Sequence, residues 1–254
     1  MEDFSAELIG TAILILLGDG VVANVLLPKT NGEKAGWIVI SFGWGMAVFV
    51  AVLCVGAVSG AHINPAVTIA MAAVGKITWQ TDVPIYLSGQ LLGAMLGAAL
   101  VYAFYRDHYH ASDDADAKLA TFCTGPKIRN MPRNFLSEVI GTFVLVFAVL
   151  MALDPSVELI GSGAVELPDV KAGLGALGAL PVGLVVLAIG LSLGGTTGYA
   201  INPARDLGPR LVHWLLPIPG KRDSDWSYAW VPVAGPIVGG LLAVFCKMTL
   251  FGAL

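Results

Sequence analysis

Two asparagines stand in matching settings, Ile63-Asn64-Pro65-Ala66 and Ile201-Asn202-Pro203-Ala204. An Asn side-chain oxygen accepts an orphan backbone N–H in the first turn of a helix. Pro is at home at the first helical position, where its missing donor costs nothing. Both copies therefore start helices. With the oxygens committed to the caps, the amide NH₂ groups of Asn64 and Asn202 can donate to oxygen atoms that pass between them. The loops before each motif, Gly60-Ala61-His62 and Gly198-Tyr199-Ala200, supply backbone carbonyls as acceptors. Two positive helix ends that meet at one point disfavour cations, hydronium included. This is chemistry for passing water or a polyol, and it offers no net charge site for an ion.

Other polar residues lie within or beside apolar segments: Glu7, Asp19, Gln90, Glu138, Arg205 and Asp206. Ionisable groups inside a membrane are functional candidates by default. Glu7 and Glu138 suit anchoring, accepting backbone N–H groups of the loops before the two motifs, more than transport itself. Gln90 suits an internal hydrogen-bonding strut. Asp206 falls in the first turn of the second short helix, where a carboxylate complements the helix dipole. Arg205 is a fixed cation on the pore-facing turn, and its five donors can orient a hydroxylated guest and repel cations.

The elements that position these groups follow from composition. The 254 residues are 56% hydrophobic and 13% charged, with a mean hydropathy of +0.79. Soluble domains carry about 25% charged residues, so the chain is an integral, multi-pass protein of a lipid bilayer. Six apolar segments are long enough to span it, at 4–27, 35–57, 84–105, 134–153, 174–194 and 228–250. The two Asn-Pro-Ala segments, 64–74 and 202–215, are shorter. The first reaches about 16 Å as a helix, half of a hydrocarbon core about 30 Å thick. Both read as half-helices that enter and return, which irregular backbone tolerates only where protein or water surrounds it.

Ala6-Glu7-Leu8-Ile9-Gly10-Thr11 and Ser137-Glu138-Val139-Ile140-Gly141-Thr142 open the first and fourth spans. Each half is thus Glu-span, span, half-helix, span, over 4–105 and 134–250, joined by a connection at 106–133 within one channel domain, 1–254. Three spans per half turn the second copy upside down, and inverted repeats put the site near the midplane. Gly89, Gly93 and Gly97, and likewise Gly235 and Gly239, recur at four-residue spacing, which lets helix backbones approach closely. In the connection, Asp113, Asp114 and Asp116 offset Arg129 and Arg133, which reads as a solvated loop with no binding patch.

The net charge is −4 and no basic cluster suggests nucleic acid. Cys54, Cys123 and Cys246 form neither a metal-like spacing nor a disulfide framework. No nucleotide-binding loop or metal-ligand cluster is present, so neither cofactor, metal nor catalytic residue is expected. Met1-Glu2-Asp3 lacks a basic n-region, and Phe4 onward reads as a mature span. Lys76, Lys171 and Lys247 fall on the side of the termini, against the other 11 of 14 Lys and Arg. Positive-inside counting would therefore put the termini outside.

The paired Asn-Pro-Ala boxes, the Glu-span repeats, Ser-Gly-Ala-His-Ile-Asn-Pro-Ala-Val-Thr and Asn-Pro-Ala-Arg-Asp-Leu-Gly-Pro-Arg resemble the major intrinsic protein family of aquaporins and glycerol facilitators over essentially the whole chain. Asp206 after Arg205, with Pro236-Ile237 in the sixth span, resembles the glycerol-facilitator branch. The resemblance implies an all-α membrane fold of six transmembrane helices and two re-entrant half-helices in an inverted repeat. It also implies a homotetramer in the cell membrane, with one pore per subunit and both termini cytoplasmic, against the charge count. By position its selectivity filter falls on Trp44, Gly190, Tyr199 and Arg205. Water-selective members usually carry His where Gly190 stands; Gly leaves room for a carbon chain, with Trp44 as an apolar wall. Tyr199 departs from the branch's common Phe. Asp19, in Leu17-Gly18-Asp19-Gly20, departs from its usual apolar span and receives no role from the motif.

The expected function is passive conduction of glycerol and other small uncharged solutes, with some water, excluding protons and ions. A channel mainly for water, or for undissociated acids such as lactic acid, is the alternative. A secondary transporter would share inverted repeats and broken helices, but facing positive helix ends suit no coupling cation. Gly18-Asp19-Gly20 prompts an intramembrane aspartyl protease, whose chemistry needs two approaching carboxylates; no second Asp lies mid-span.

Overall fold

A computed structural model describes residues 1–152 and 175–252. The chain runs through α1 (Glu2–Leu26), α2 (Trp37–Ser59), the short α3 (Pro65–Ala73), α4 (Asp82–Phe104), α5 (Arg106–Ala111) and α6 (Ala115–Ala120). It continues with α7 (Met131–Met151), a 3-10 turn at Gly175–Ala179 that leads into α8 (Leu180–Ser192), then α9 (Pro203–Leu215) and α10 (Val231–Phe251). Six of these stretches are long and apolar enough to cross a membrane, each close to one of the six expected spans. The expected ends at Leu153 and Leu174, the charge of Lys171, and the last two residues of the domain lie outside the described residues. The fourth span starts at Met131, three residues earlier than its apolar pattern begins. There Asn130 caps the helix by accepting Arg133 N–H at 3.2 Å.

α3 and α9 are the two half-helices, each with an Asn N-cap and Pro at its first position. At 1.5 Å per residue they extend about 14 and 20 Å, too short to span. Each packs on the last span of the other repeat, α3 on α10 and α9 on α4. Glycine makes both contacts close: a Cβ on Gly240 would lie 3.2 Å from the Ala66 carbonyl oxygen, and one on Gly208 3.2 Å from that of Leu91. The repeats are thus locked by exchanging their half-helices.

The expected glycine rows are contact surfaces. Gly89, Gly93 and Gly97 of α4 meet the backbone of α1, where a Cβ would stand 2.8 Å from the Phe4 carbonyl oxygen and 2.6 Å from that of Ala12. Gly235 and Gly239 of α10 meet α7 in the same way. Between the repeats, Gly45 of α2 and Gly183 of α8 face each other, each site for a Cβ lying within 2.8 Å of the other's carbonyl oxygen. Large side chains such as Ile38, Phe42, Leu92, Leu184 and Phe245 are exposed on the outer faces of the spans, as a lipid-facing surface requires. The polar anchors lie inside.

The connection between the repeats differs from a solvated loop. Most of its charged residues stay outside, but Tyr109, Ser112, Thr121, Phe122, Cys123, Thr124 and one charged residue, Lys118, are buried. Tyr109 packs on Phe122 and its hydroxyl bonds Thr121 at 2.6 Å. The charge count conceals an apolar core that folds this segment onto the molecule.

Candidate functional site

The two half-helix starts are joined at their tips. Asn64 Oδ1 accepts Ala66 N–H at 2.9 Å, and Asn202 Oδ1 accepts those of Ala204 and Arg205 at 3.0 and 3.2 Å. Each amide then donates across the interface: Asn64 Nδ2 to the Ile201 carbonyl and Asn202 Nδ2 to that of Ile63, both at 2.8 Å. One N–H of each NH₂ is used in this bridge, so one per asparagine remains for a guest.

The preceding loops carry the same backbone pattern. Gly60, Ala61 and Ile63 have φ of 76°, 49° and 43°, and Gly198, Tyr199 and Ile201 have 82°, 39° and 43°. For a β-branched Ile this is an outlier conformation, of a kind that persists only when the surroundings over-determine it. The two glutamates do so. Glu7 accepts Ser59 Oγ–H at 2.6 Å, His62 and Ile63 N–H at 3.0 and 2.7 Å, and Gln90 Nε2–H at 2.7 Å. Glu138 accepts Thr197 Oγ1–H at 2.7 Å and the N–H groups of Ala200 and Ile201 at 3.1 and 2.9 Å. Gln90 also donates to Thr68 Oγ1 at 2.9 Å, tying α4 to α3. Ser59 and Thr197 were not singled out from the sequence, although each hydroxyl residue precedes its Asn by the same interval.

Two cavities flank these loops. One, about 310 Å³, runs past Gly60, Ala61, His62, Asn64, Ala200 and Asn202 toward the α7–α8 end. The other, about 160 Å³, opens on the far side between Trp37, Thr124, Lys127 and Gly198. Three residues line both: Trp44, Tyr199 and Arg205. The two cavities meet at these residues, and all three are buried.

Arg205 is gripped on two sides. Its guanidinium carbon lies 4.0 Å from the centroid of the Trp44 ring, a distance at which the ring's quadrupole attracts a cation. Nη1 donates to Asp19 Oδ1 at 3.3 Å, and both partners are buried. Among the described residues the guanidinium makes no other hydrogen bond, so its remaining donors are available to the cavities it lines.

Gly190 behaves differently from its expected role. It lines neither cavity, because the space it frees holds the Tyr199 ring: a Cβ there would lie 2.8 Å from Tyr199 Cζ and 2.9 Å from its hydroxyl. Trp37 fixes this arrangement by donating Nε1–H to the Gly190 carbonyl at 2.8 Å and meeting Tyr199 edge-on at 5.7 Å. The Tyr199 and Ser41 hydroxyls are buried beside Gly190, and among the described residues neither has a partner at good hydrogen-bond geometry.

Asp206, expected as a structural support at the first turn of its helix, points away from the passage toward Thr124 and Arg210, partners that its position alone did not reveal. Its carboxylate accepts Thr124 N–H and Oγ1–H at 2.8 and 2.7 Å and pairs with Arg210 Nε at 2.8 Å. Arg210, fully buried, also donates to the Thr124 and Ser224 carbonyls at 3.0 and 2.7 Å. One ion pair on α9 thereby holds the Thr124 loop, which lines the smaller cavity, together with the Ser224 loop; its signal was the i, i+4 spacing of Asp206 and Arg210. Burial alone would raise the nearby Asp225 carboxyl, but Arg129 and the Ser227 hydroxyl hold it below the usual carboxylate range. Among the described residues no cluster of His, Cys, Asp or Glu could hold a metal ion.

Comparison with known proteins agrees across the chain. The family model described as "Major intrinsic protein" matches residues 1–247. A "Probable glycerol uptake facilitator protein" of Thermotoga maritima is 55% identical over 251 residues, 99% of this chain and 100% of the relative. A "Glycerol uptake facilitator protein" of Streptococcus pneumoniae is 52% identical over 244 residues, 96% of this chain and 97% of the relative. Among solved structures, the aquaglyceroporin from Plasmodium falciparum superposes with a TM-score of 0.82 at 30% identity, covering 98% of this chain and 96% of that one.

Proposed function

The chain belongs to the major intrinsic protein family, and from that premise we propose that it is a passive channel for glycerol and similar small uncharged solutes, with some water. It is a multi-pass membrane channel and not an enzyme. The observation that carries the reading is the meeting of two cavities at Trp44, Tyr199 and Arg205. A solute there meets the aromatic rings of Trp44 and Tyr199 and, beside them, the fixed N–H donors of Arg205, which suits the carbon edge and the hydroxyl edge of a polyol.

Along the passage on both sides of the constriction, the carbonyls of Gly198, Tyr199 and Ala200 and of Gly60, Ala61 and His62 accept the solute's hydroxyl protons in turn. The remaining N–H of Asn64 and of Asn202 donates to its oxygens at the midpoint. Two half-helix N-termini converge there, and their positive ends oppose hydronium and metal cations. Glu7, Glu138, Gln90 and Asp206 hold this lining in shape. The subunit is one channel domain that works as a homotetramer in the cell membrane, with a pore in each subunit and both termini in the cytoplasm. No cofactor is needed, because conduction exchanges hydrogen bonds and breaks no covalent bond.

Stopped-flow light scattering on reconstituted vesicles tests this. Glycerol flux should rise well above that of empty vesicles, linearly with the gradient and independently of Na⁺ or a proton gradient. Fast water movement without glycerol movement would mean a water channel. Fast lactic acid movement that tracks the undissociated form, with slow glycerol, would favour the acid alternative.

A further inference from the structure

Among the ionisable residues singled out from the sequence in or beside the apolar segments, Asp19 is the one that neither repeat nor motif explains. It sits on α1, fully buried, with Oδ1 3.3 Å from Arg205 Nη1 and, among the described residues, no hydrogen-bond partner for Oδ2. It lines neither cavity, so it stands behind the constriction and not in it. Its neighbour Gly18 faces the Trp44 ring at a distance that leaves no space for a side chain. The Gly18-Asp19 pair of α1 therefore seats both residues that grip the passage: the glycine admits the Trp44 ring, and the aspartate takes the guanidinium that this ring covers.

We propose that Asp19 is a specificity-determining residue of the channel: it cancels the charge of Arg205, so that the narrowest part of the passage is electrically neutral while it still presents N–H donors. An isolated guanidinium in a narrow, poorly hydrated opening projects a strong positive potential, and burial keeps salt from screening it. Such a site would draw in small anions and bind the conjugate bases of organic acids. With a carboxylate 3.3 Å away, the pair acts as a dipole whose potential decays much faster than that of a single charge. Neutral solutes then find hydrogen-bond donors without an ion-binding step. Cation exclusion at the constriction is correspondingly weak and is left to the two half-helix ends. Asp19 acts through Arg205 and does not touch the solute, so it is a positioning and charge-balancing residue.

This inference rests on the channel reading, and the test separates the two. The full-length protein is reconstituted, and nitrate flux under a fixed membrane potential is compared with glycerol flux in the same vesicles. Asp19→Asn keeps the size of the side chain and an acceptor for Nη1 but removes the charge. It should raise the nitrate-to-glycerol flux ratio by about tenfold or more. The double variant Asp19→Asn with Arg205→Val carries neither charge, and nitrate flux should return to the wild-type level. A shape effect of Asp19 alone would not be reversed in this way. An unchanged ratio in Asp19→Asn, or a high nitrate flux that persists in the double variant, overturns the proposal. If Asp19→Asn fails to assemble, the mirror experiment decides. Arg205→Val alone leaves the carboxylate unmasked, so potassium flux should rise about tenfold or more and fall again in the double variant; no rise overturns the proposal. The expected nitrate pattern across wild type and variants, with no glycerol flux in wild-type vesicles, would support charge cancellation and overturn the glycerol reading instead.

Discussion

Asn64 and Asn202 are cross-linked through each other's loops: each caps its own half-helix and donates to the isoleucine carbonyl that precedes the other, at 2.8 Å in both directions. The bridge fixes the separation of the two tips and the direction of the one free N–H on each side. Replacing either by Ala removes a cap worth about 1 kcal/mol and a buried hydrogen bond of similar size. Asn64→Ala and Asn202→Ala should each lower the melting temperature of the reconstituted protein and cut glycerol flux severalfold. The double variant should lose less than the sum, because either single change already parts the tips. Additive losses would show that the two asparagines act independently.

Glu7 and Glu138 each hold a strained loop with both carboxylate oxygens. A glutamine at either position offers one acceptor oxygen and turns an NH₂ group toward backbone donors. Buried bonds to a charged acceptor contribute about 1.5–3 kcal/mol each, and Ile63 and Ile201 would be free to leave their positive φ. Glu7→Gln and Glu138→Gln should therefore abolish glycerol flux and lower the melting temperature by more than either asparagine variant. Calorimetry beside the flux assay decides; full flux with a lowered melting temperature would mean that the carbonyl orientation does not depend on the anchors.

What was legible in the sequence is what occurs twice. The Asn caps, the Glu anchors and the glycine rows have counterparts in both repeats, so each copy checks the other and the inverted architecture follows. Asp19 has no such counterpart: the spacing that relates Glu7 to Glu138 carries it onto Leu150. Its partner lies 186 residues away on a different repeat, a pairing that only the assembled fold defines. Gly190 was expected to leave room for a carbon chain, but residue type alone cannot tell what occupies the space beside it; here that is the Tyr199 ring, oriented by Trp37 and the backbone. In the connection between repeats, scattered charges concealed Tyr109, Phe122 and Thr124, whose burial depends on a docking surface made by α9 and its flanking loop.

The space at Gly190 gives a size-selective prediction. A methyl group there would press on Tyr199 at 2.8 Å, and overpacking of this kind costs about 1–3 kcal/mol unless the ring moves. The ring's free direction is toward the passage. Gly190→Ala should thus reduce glycerol flux by about tenfold while water flux falls far less, since a 1–3 kcal/mol strain spans roughly that range. Equal loss of both would indicate a general collapse.

Tyr199→Phe tests the hydroxyl separately. This hydroxyl is buried with no partner at good hydrogen-bond geometry among the described residues, so its removal relieves a poorly met polar group, a defect worth about 1–3 kcal/mol. The melting temperature should rise or hold, and the aromatic wall remains. Because the ring, and not the hydroxyl, fills the space at Gly190, the water-to-glycerol flux ratio should stay near the wild-type value. A large change in that ratio would make the hydroxyl itself a determinant of the opening.

Arg205→Val probes both faces of the constriction at once. The substitution removes the donors that line the two cavities and leaves the Asp19 carboxylate buried without its partner, a situation that ordinarily destabilises by about 3–5 kcal/mol. The protein should be less heat-stable, and the negative charge at the narrow point should draw cations toward half-helix ends that then oppose them alone. Potassium and proton leak, followed with a pH-sensitive dye inside the vesicles, should increase, and discrimination among polyols of different length should weaken because no fixed donor holds their hydroxyl edge. Unaltered ion tightness with unaltered polyol ranking would remove Arg205 from the selecting residues and leave Trp44 and Tyr199 as a purely steric aperture.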